Sequence, residues 1–375
     1  MLSMTAGQTL LGEASRKIPV FAASGAPRIR EELSNSLRPF YNIRTFDKSE
    51  AVLKAVSKSQ PAAIVIDETI PPMGGMNLIK TLRKEATSKT LPLVYTANAV
   101  DAESLDEAKS YGQVEPLGKP YQPRSLVGAI SRMVNAGVEA SWEKIEPVQK
   151  EALKNTLTSF NAIADQIQGD DPIAYGEVRE SCTPLVTAIQ NQNFKDMLRG
   201  VQDHDNYSFV HSLRVATFLS LFGTTVGIKG DELMVLATGG LLHDLGKMYI
   251  PHEVLNKAGK LDDTEFNVMK SHVSHTQDHL DRNSELPSGI AVIAGQHHEK
   301  LDGSGYPNGL KGSQINELAR MAAIVDIFGA LTDRRVYKDP MPPEKALVIM
   351  ADMKTHLDQN LLALFREMLL DSATL

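Results

Sequence analysis

Pro61-Ala-Ala-Ile-Val-Ile-Asp67 places five consecutive apolar residues between a proline and a carboxylate. A strand with one wet face alternates apolar and polar residues. An unbroken apolar run of this length, bounded by turn formers, reads as a strand buried on both faces. The surrounding chain repeats the pattern. Strands are expected at 17–22, 43–46, 62–66, 91–95 and 114–117, with helices at 28–39, 49–58, 76–83, 102–110 and 123–134. Five strand–helix pairs predict an α/β domain over 17–135, a parallel sheet with helices on both faces.

The rest of the chain changes character. Residues 136–200 carry two long helical patterns with few turn signals and read as a helical connector. From 201 to 375 the pattern is almost wholly helical, broken by loops rich in glycine or proline. Residues 1–16 have no basic start followed by a long apolar core, and read as a mobile leader rather than a signal peptide.

With 375 residues, 42% hydrophobic and 23% charged, the chain is long and apolar enough for more than one core, which excludes a disordered or collagen-like chain. A net charge of −7 argues against a DNA-binding role. The one cysteine, Cys182, excludes an intrachain disulfide and fits a cytoplasmic protein. No run approaches the ~18 apolar residues a membrane helix needs, so no membrane partner is expected.

Asp67 ends the buried strand, where open parallel sheets place their ligands. Thr96 ends the next strand, and Lys119-Pro120 follows the last. This arrangement resembles the flavodoxin-like receiver domain of response regulators. The resemblance implies that Asp67 is the phosphoacceptor-like residue, Thr96 the switch hydroxyl and Lys119 the phosphate contact. Receivers hold Mg²⁺ with an acidic pair after the first strand, where this chain reads Phe21-Ala-Ala-Ser24. A hard cation needs oxygen ligands that alanine cannot offer. The expectation is a degenerate receiver that serves as an interaction module; ordinary Mg²⁺-dependent phosphorylation is the alternative.

Eight of the ten histidines fall between His211 and His298. In order come His211, the pair His243-Asp244 with Lys247 following, His272, the run His297-His-Glu-Lys-Leu-Asp-Gly-Ser-Gly-Tyr-Pro307, and Asp326. Imidazole and carboxylate together suit first-row divalent metals. On one helix, His243 and Asp244 would project about 100° apart. Lys247 would then lie on the same face, four residues after His243. Glycines at 303 and 305 permit close backbone approach, so the loop can present Tyr306 to a ligand or a partner.

This set resembles the HD-GYP family of metal-dependent phosphohydrolases. His243-Asp244 matches the HD pair, and 297–307 matches the second signature at nearly every place. The likeness covers about 170 residues from Asn206 onward. It implies an all-α HD-GYP domain that hydrolyses cyclic-di-GMP to pGpG, GMP or both through a metal-bridging hydroxide. The implied ligands of two divalent metals, iron or manganese, are His211, His243, Asp244, His272, His297, His298 and Asp326. No organic cofactor is implied. Asp244 would bridge the metals and Lys247 would assist at the phosphate. Gly303, Tyr306, Arg335 and Lys338 would bind substrate, the last two nine and twelve residues after Asp326.

The chain departs from the family in places. A glutamate that holds a third metal in some members is replaced by Tyr207, so two metals are expected. Asp-Ala-Leu in the family is Gly329-Ala-Leu331 here, Arg-Pro-Tyr is Arg335-Val-Tyr337, and Val273 replaces a proline after His272. His252, His275 and His279 are alternative ligands, Glu299 a support for its loop, and His204 and His356 surface residues. The competing functions are an HD hydrolase of another nucleotide and a non-catalytic module that binds cyclic-di-GMP or docks a diguanylate cyclase. A signalling partner could meet the receiver or the 303–307 loop, and the helical connector suits a homodimer.

Overall fold

The computed structural model describes residues 18–38, 40–98, 100–169, 171–201, 204, 206–255, 257, 259–282, 285–333 and 340–371. The expected leader and the positions of Arg335 and Lys338 lie outside these. The chain divides into two compact units between Met133 and Val134, inside the helix that spans 123–141, which is described with the first unit.

The first unit alternates β1 (Pro19–Ala23), α1 (Pro27–Leu37), β2 (Asn42–Phe46), α2 (Ser49–Val56), β3 (Ala63–Asp67), α3 (Gly74–Lys84), β4 (Leu93–Asn98), α4 (Ala102–Ser110), β5 (Val114–Lys119) and α5 (Pro123–Ser141). The sheet is parallel throughout, in the order β2-β1-β3-β4-β5. All five residues of β3 are buried, as an apolar run in a doubly covered sheet requires. Strand register aligns Asp67 with Thr96 and Asn98 with Lys119, which gathers the polar strand ends at the carboxyl edge. Helix α5 runs to Ser141, past its expected end at 134.

The second unit contains α6 (Pro147–Gly169), α7 (Tyr175–Gln190), α8 (Lys195–Gly200), α9 (Tyr207–Thr225), α10 (Gly230–Leu242), α11 (His252–Leu255), α12 (Asp263–Leu280), α13 (Ser288–Gln296), α14 (Glu317–Thr332), α15 (Pro343–Asp352) and α16 (Gln359–Asp371). Helices α6 and α7, from the expected connector, share one apolar core with the later helices: Leu153, Phe160, Cys182 and Leu185 are buried together with Phe209 and Leu213.

Helices that are apolar all round belong in the middle of a bundle. Nine of the thirteen residues of α10 are buried, and it crosses α9 closely enough that a Cβ on Gly240 would lie 2.6 Å from Ala216 Cα. That crossing brings the end of α10 beside His211. Phe328 packs edge-on against Phe218 at 5.5 Å and Phe365 at 5.3 Å, locking α14 to α9 and α16. Each buried ring contributes roughly 1.5–3 kcal/mol. The polar helix α12 instead has a defined start: Asp262 accepts from the Glu265 N–H at 2.9 Å, and Glu265 accepts from the Asp262 N–H at 2.8 Å.

One local expectation is corrected. His243 and Asp244 do not sit within one helix. Helix α10 ends at Leu242, His243 is its last cap, and Asp244 leaves helical geometry at φ −107°, ψ 12°. A tight turn over Leu245–Tyr249 follows and carries Lys247.

Candidate metal centre

Adjacent residues inside a helix diverge by about 100°. At the ends of α10 and α13 the chain turns, and the pairs His243-Asp244 and His297-His298 both point inward. With His211 on α9, His272 on α12 and Asp326 on α14, they make two four-residue groups: His211, His243, Asp244, Asp326, and Asp244, His272, His297, His298. Within each group the potential ligand atoms lie within 4.8 Å of one another.

Asp244 belongs to both groups and uses a different oxygen for each. Its Oδ2 is 3.2 Å from His243 Nε2 and 3.6 Å from His211 Nε2. Its Oδ1 is 3.2 Å from His272 Nε2 and 3.8 Å from His297 Nε2. Asp326 reaches both sides too, with Oδ1 3.0 Å from His211 Nε2 and Oδ2 3.8 Å from His298 Nδ1. The Lys247 ammonium is paired with Asp244 Oδ2.

The hydrogen bonds show how the rings are aimed. His243, His272 and His297 place Nδ1 at 2.8, 2.6 and 2.9 Å from the carbonyls of Gly240, Met269 and Ala294. A carbonyl only accepts, so Nδ1 carries a proton and Nε2 is the atom aimed into the cluster. Those three Nε2 atoms and Asp244 Oδ1 are buried without a hydrogen-bond partner. An unsatisfied buried polar atom costs roughly 1–3 kcal/mol. Several such atoms converging beside two carboxylates fit divalent cations, which would satisfy all of them.

The electrostatics point the same way. Burial alone would raise the Asp244 carboxyl, but His243 and Lys247 overcome it and hold the group well below the usual carboxylate range. Asp326 is likewise held down against burial by His211 and His243. Burial opposes a charge on His243, yet Asp244 and Asp326 push it up to about 10. Burial, with Lys247 nearby, pushes His298 down to about 3. Burial and the neighbouring histidines depress His297 as well. Without metal, a proton on His243 partly neutralises the carboxylates.

Tyr306 stands at one side, its ring 4.7 Å from that of His298 and 6.2 Å from Phe266, which is 45% exposed. Burial and the carboxylates raise its hydroxyl above the ordinary tyrosine range. Gly303 adopts φ +83°, and at Gly305 a Cβ would overlap the backbone of His298 to Lys300. Glu299 supports the loop by accepting from the N–H groups of Asn308 at 2.7 Å and Leu310 at 2.9 Å.

The competing histidines sit elsewhere. His279 pairs with the Tyr249 hydroxyl, and His275 lies 5.0 Å from the same ring. The His252 side chain lies outside the described residues. His356 is partly exposed beside Asp302. His204 was expected at the surface but is buried: it stacks on Trp142 at 5.9 Å and meets Glu139 at 3.2 Å. Asp333 was not anticipated. It is buried 2.8 Å from His211 Nδ1 and paired with Arg214. Its spacing of seven residues from Asp326, two helical turns, was the available signal.

In the first unit, Asp67 is fully buried and saturated. Its Oδ1 accepts from Ser24 at 3.2 Å, the Thr69 N–H at 3.0 Å and the Thr69 hydroxyl. Its Oδ2 accepts from Thr96 at 3.1 Å and pairs with Lys119 at 2.7 Å. Lys119 also pairs with Glu68 at 2.8 Å. Burial would raise the Asp67 carboxyl, but Lys119 and Thr69 hold it below its usual value.

The chain thus carries a parallel-sheet unit followed by a helical unit with a histidine–carboxylate double cluster. The receiver-domain profile matches residues 20–131 and the HD-domain profile 197–361. The cyclic di-GMP phosphodiesterase of Thermotoga maritima is 36% identical over 295 residues, covering 78% of this chain and 75% of that protein. The 3'3'-cGAMP-specific phosphodiesterase 3 of Vibrio cholerae is 37% identical over 164 residues, 44% of this chain and 35% of that longer protein. The structure of an HDG"Y"P protein from Bdellovibrio bacteriovorus shares the fold, with a TM-score of 0.51 at 17% identity over 65% of this chain and 80% of that one. This chain belongs to the HD-GYP branch of the HD-domain family, with a receiver domain ahead of it. An HD domain binds divalent metal. No helix among the described residues is long and apolar enough to cross a membrane.

Proposed function

We propose that the chain hydrolyses cyclic-di-GMP at two divalent metals. The observation that carries this reading is Asp244, whose two oxygens face separate sets of imidazoles. His211, His243 and Asp326 would hold one cation with Asp244; His272, His297 and His298 would hold the other. Iron or manganese suits this imidazole-rich set. When bound, the cations supply Lewis acidity at the phosphate and lower the pKa of an attacking water.

The protein's own residues do the rest. The Nδ1–carbonyl bonds fix the ring planes. Lys247, beside Asp244, offers an ammonium to a phosphate oxygen. Tyr306 and the turn at Gly303 form one wall, and Arg335 and Lys338 would receive the anionic dinucleotide. The product would be pGpG, GMP or both.

The reading extends to organisation. A leader over 1–16, a receiver over 17–135, a helical connector over 136–200 and the HD-GYP domain over 201–375 would work as a cytoplasmic homodimer. The receiver would act without phosphorylation at Asp67, since the acidic pair is missing and Ser24, Thr69, Thr96 and Lys119 already occupy the carboxylate. It or the 303–307 loop would meet a diguanylate cyclase or another signalling partner. A second substrate, 3'3'-cGAMP, is favoured by the Vibrio relative named for it.

The test is anaerobic reconstitution with Fe(II) or Mn(II), then chromatography of products from both cyclic dinucleotides. Turnover of cyclic-di-GMP that disappears in Asp244→Ala supports the proposal. Turnover of 3'3'-cGAMP alone replaces the substrate, and no turnover of either by metal-loaded protein overturns it.

A further inference from the structure

The five clustered imidazoles are not supported alike. His243, His272 and His297 lean on carbonyls of their own helices, whereas His211 sets Nδ1 against a buried carboxylate 2.8 Å away, that of Asp333. Asp333 lies just past α14, where its N–H donates to the Gly329 carbonyl at 2.7 Å. Arg214, one turn after His211 on α9, pairs with the other oxygen of Asp333. The guanidinium is itself held, 3.2 Å from the Thr332 hydroxyl and 5.3 Å over the Phe218 ring.

Position 329 faces the same ring. A Cβ built on Gly329 would lie 3.4 Å from His211 Nδ1 and Cε1, and 3.7 Å from Asp333 Oδ2. Gly329 is also where this chain departs from the Asp-Ala-Leu pattern of the proteins it resembles. An aspartate at 329 would direct its carboxylate into the space that Asp333 fills from one turn further along.

We propose that Asp333 is the positioning residue for His211 and replaces a carboxylate missing at 329, with Arg214 holding it in place. A carboxylate on Nδ1–H fixes the ring orientation and makes Nε2 a stronger donor than a carbonyl does. Here that Nε2 faces Asp326 at 3.0 Å. The inference rests on the reading of the double cluster as a metal centre.

The experiment measures Mn(II) binding to metal-stripped full-length protein by titration and EPR, with folding followed by circular dichroism. Asp333→Asn and Asp333→Ser should fold and bind one of two Mn(II) about 10- to 100-fold more weakly. The swap Gly329→Asp/Asp333→Ser should recover most of that loss, which a general packing role for Asp333 would not allow. Unchanged Mn(II) affinity in Asp333→Asn, or a swap no tighter than Asp333→Ser, overturns the inference and leaves the metal centre standing. If the single variants do not fold, the swap decides alone: tight binding supports the inference and weak binding overturns it. A wild-type protein that binds no Mn(II) removes the metal centre and this inference together.

Discussion

Both units gather carboxylates at the ends of regular elements, and they finish in opposite states. In the receiver, Asp67 has five donors and no spare lone pair aimed at open space. In the helical unit, Asp244 Oδ1 and three Nε2 atoms are buried together without a hydrogen-bond partner. The first is a closed polar network and stabilises its own fold. The second is incomplete until a cation arrives. The same residue types are hydrogen-bonded in one place and left open in the other, and on the proposed reading that difference separates a structural carboxylate from a metal-binding one.

The largest test of this contrast removes the central carboxylate from each side. Asp244→Ala should lower turnover roughly 10³-fold or more, about 4 kcal/mol, and reduce bound metal. Asp67→Asn should leave turnover within a factor of about three, less than 1 kcal/mol. Equal losses would show that the receiver carboxylate is not merely structural.

Acid should act next most strongly, and unevenly. His243 is raised to about 10, so at neutral pH it carries a proton that metal must displace, whereas His298, at about 3, is already neutral. Mn(II) affinity should fall about tenfold per pH unit on acidification, one proton released per chain. Calorimetry in buffers of different ionisation enthalpy reads that proton. In metal-free protein the sign reverses: a raised histidine stabilises below its unfolded pKa, and that contribution is lost as pH rises toward about 10.

Lys119→Met should cost the receiver about 1–3 kcal/mol by leaving Asp67 without its cation, measured by denaturant unfolding. The Asp67 carboxyl is lowered on folding, so its contribution is present at neutral pH and is lost as pH falls below the ordinary carboxylate range. Asp67→Asn should flatten that acid limb. The smallest effect expected is none: acetyl phosphate with Mg²⁺ should add no 80 Da species to the wild-type protein by intact mass. A stoichiometric adduct absent from Asp67→Asn would reopen the receiver pocket.

Much of this is legible in the residues alone. The buried run at 62–66 announced a central parallel strand because strands covered on both faces cannot alternate. Other features are not. The end of α10 at Leu242 has no proline or glycine just beyond it to mark it, since Gly239 and Gly240 lie inside the helix and the C-cap is His243. His204 read as a surface residue because a single histidine carries no periodic signal. Its burial depends on Trp142 and Glu139, more than sixty residues earlier.

The sequence by itself determined the alternation that builds the sheet, the apolar helices that must form a bundle, and the order of histidines and aspartates along them. These follow from local periodicity and residue chemistry. Only the tertiary structure decided that Asp244 divides its oxygens between two sets of imidazoles, that three histidines donate Nδ1 to their own helices, and that His211 leans on Asp333, 122 residues away. Hydrogen-bond direction and the sharing of a ligand depend on how helices cross. A close crossing such as that of Gly240 on Ala216 is set by the packing of the whole core.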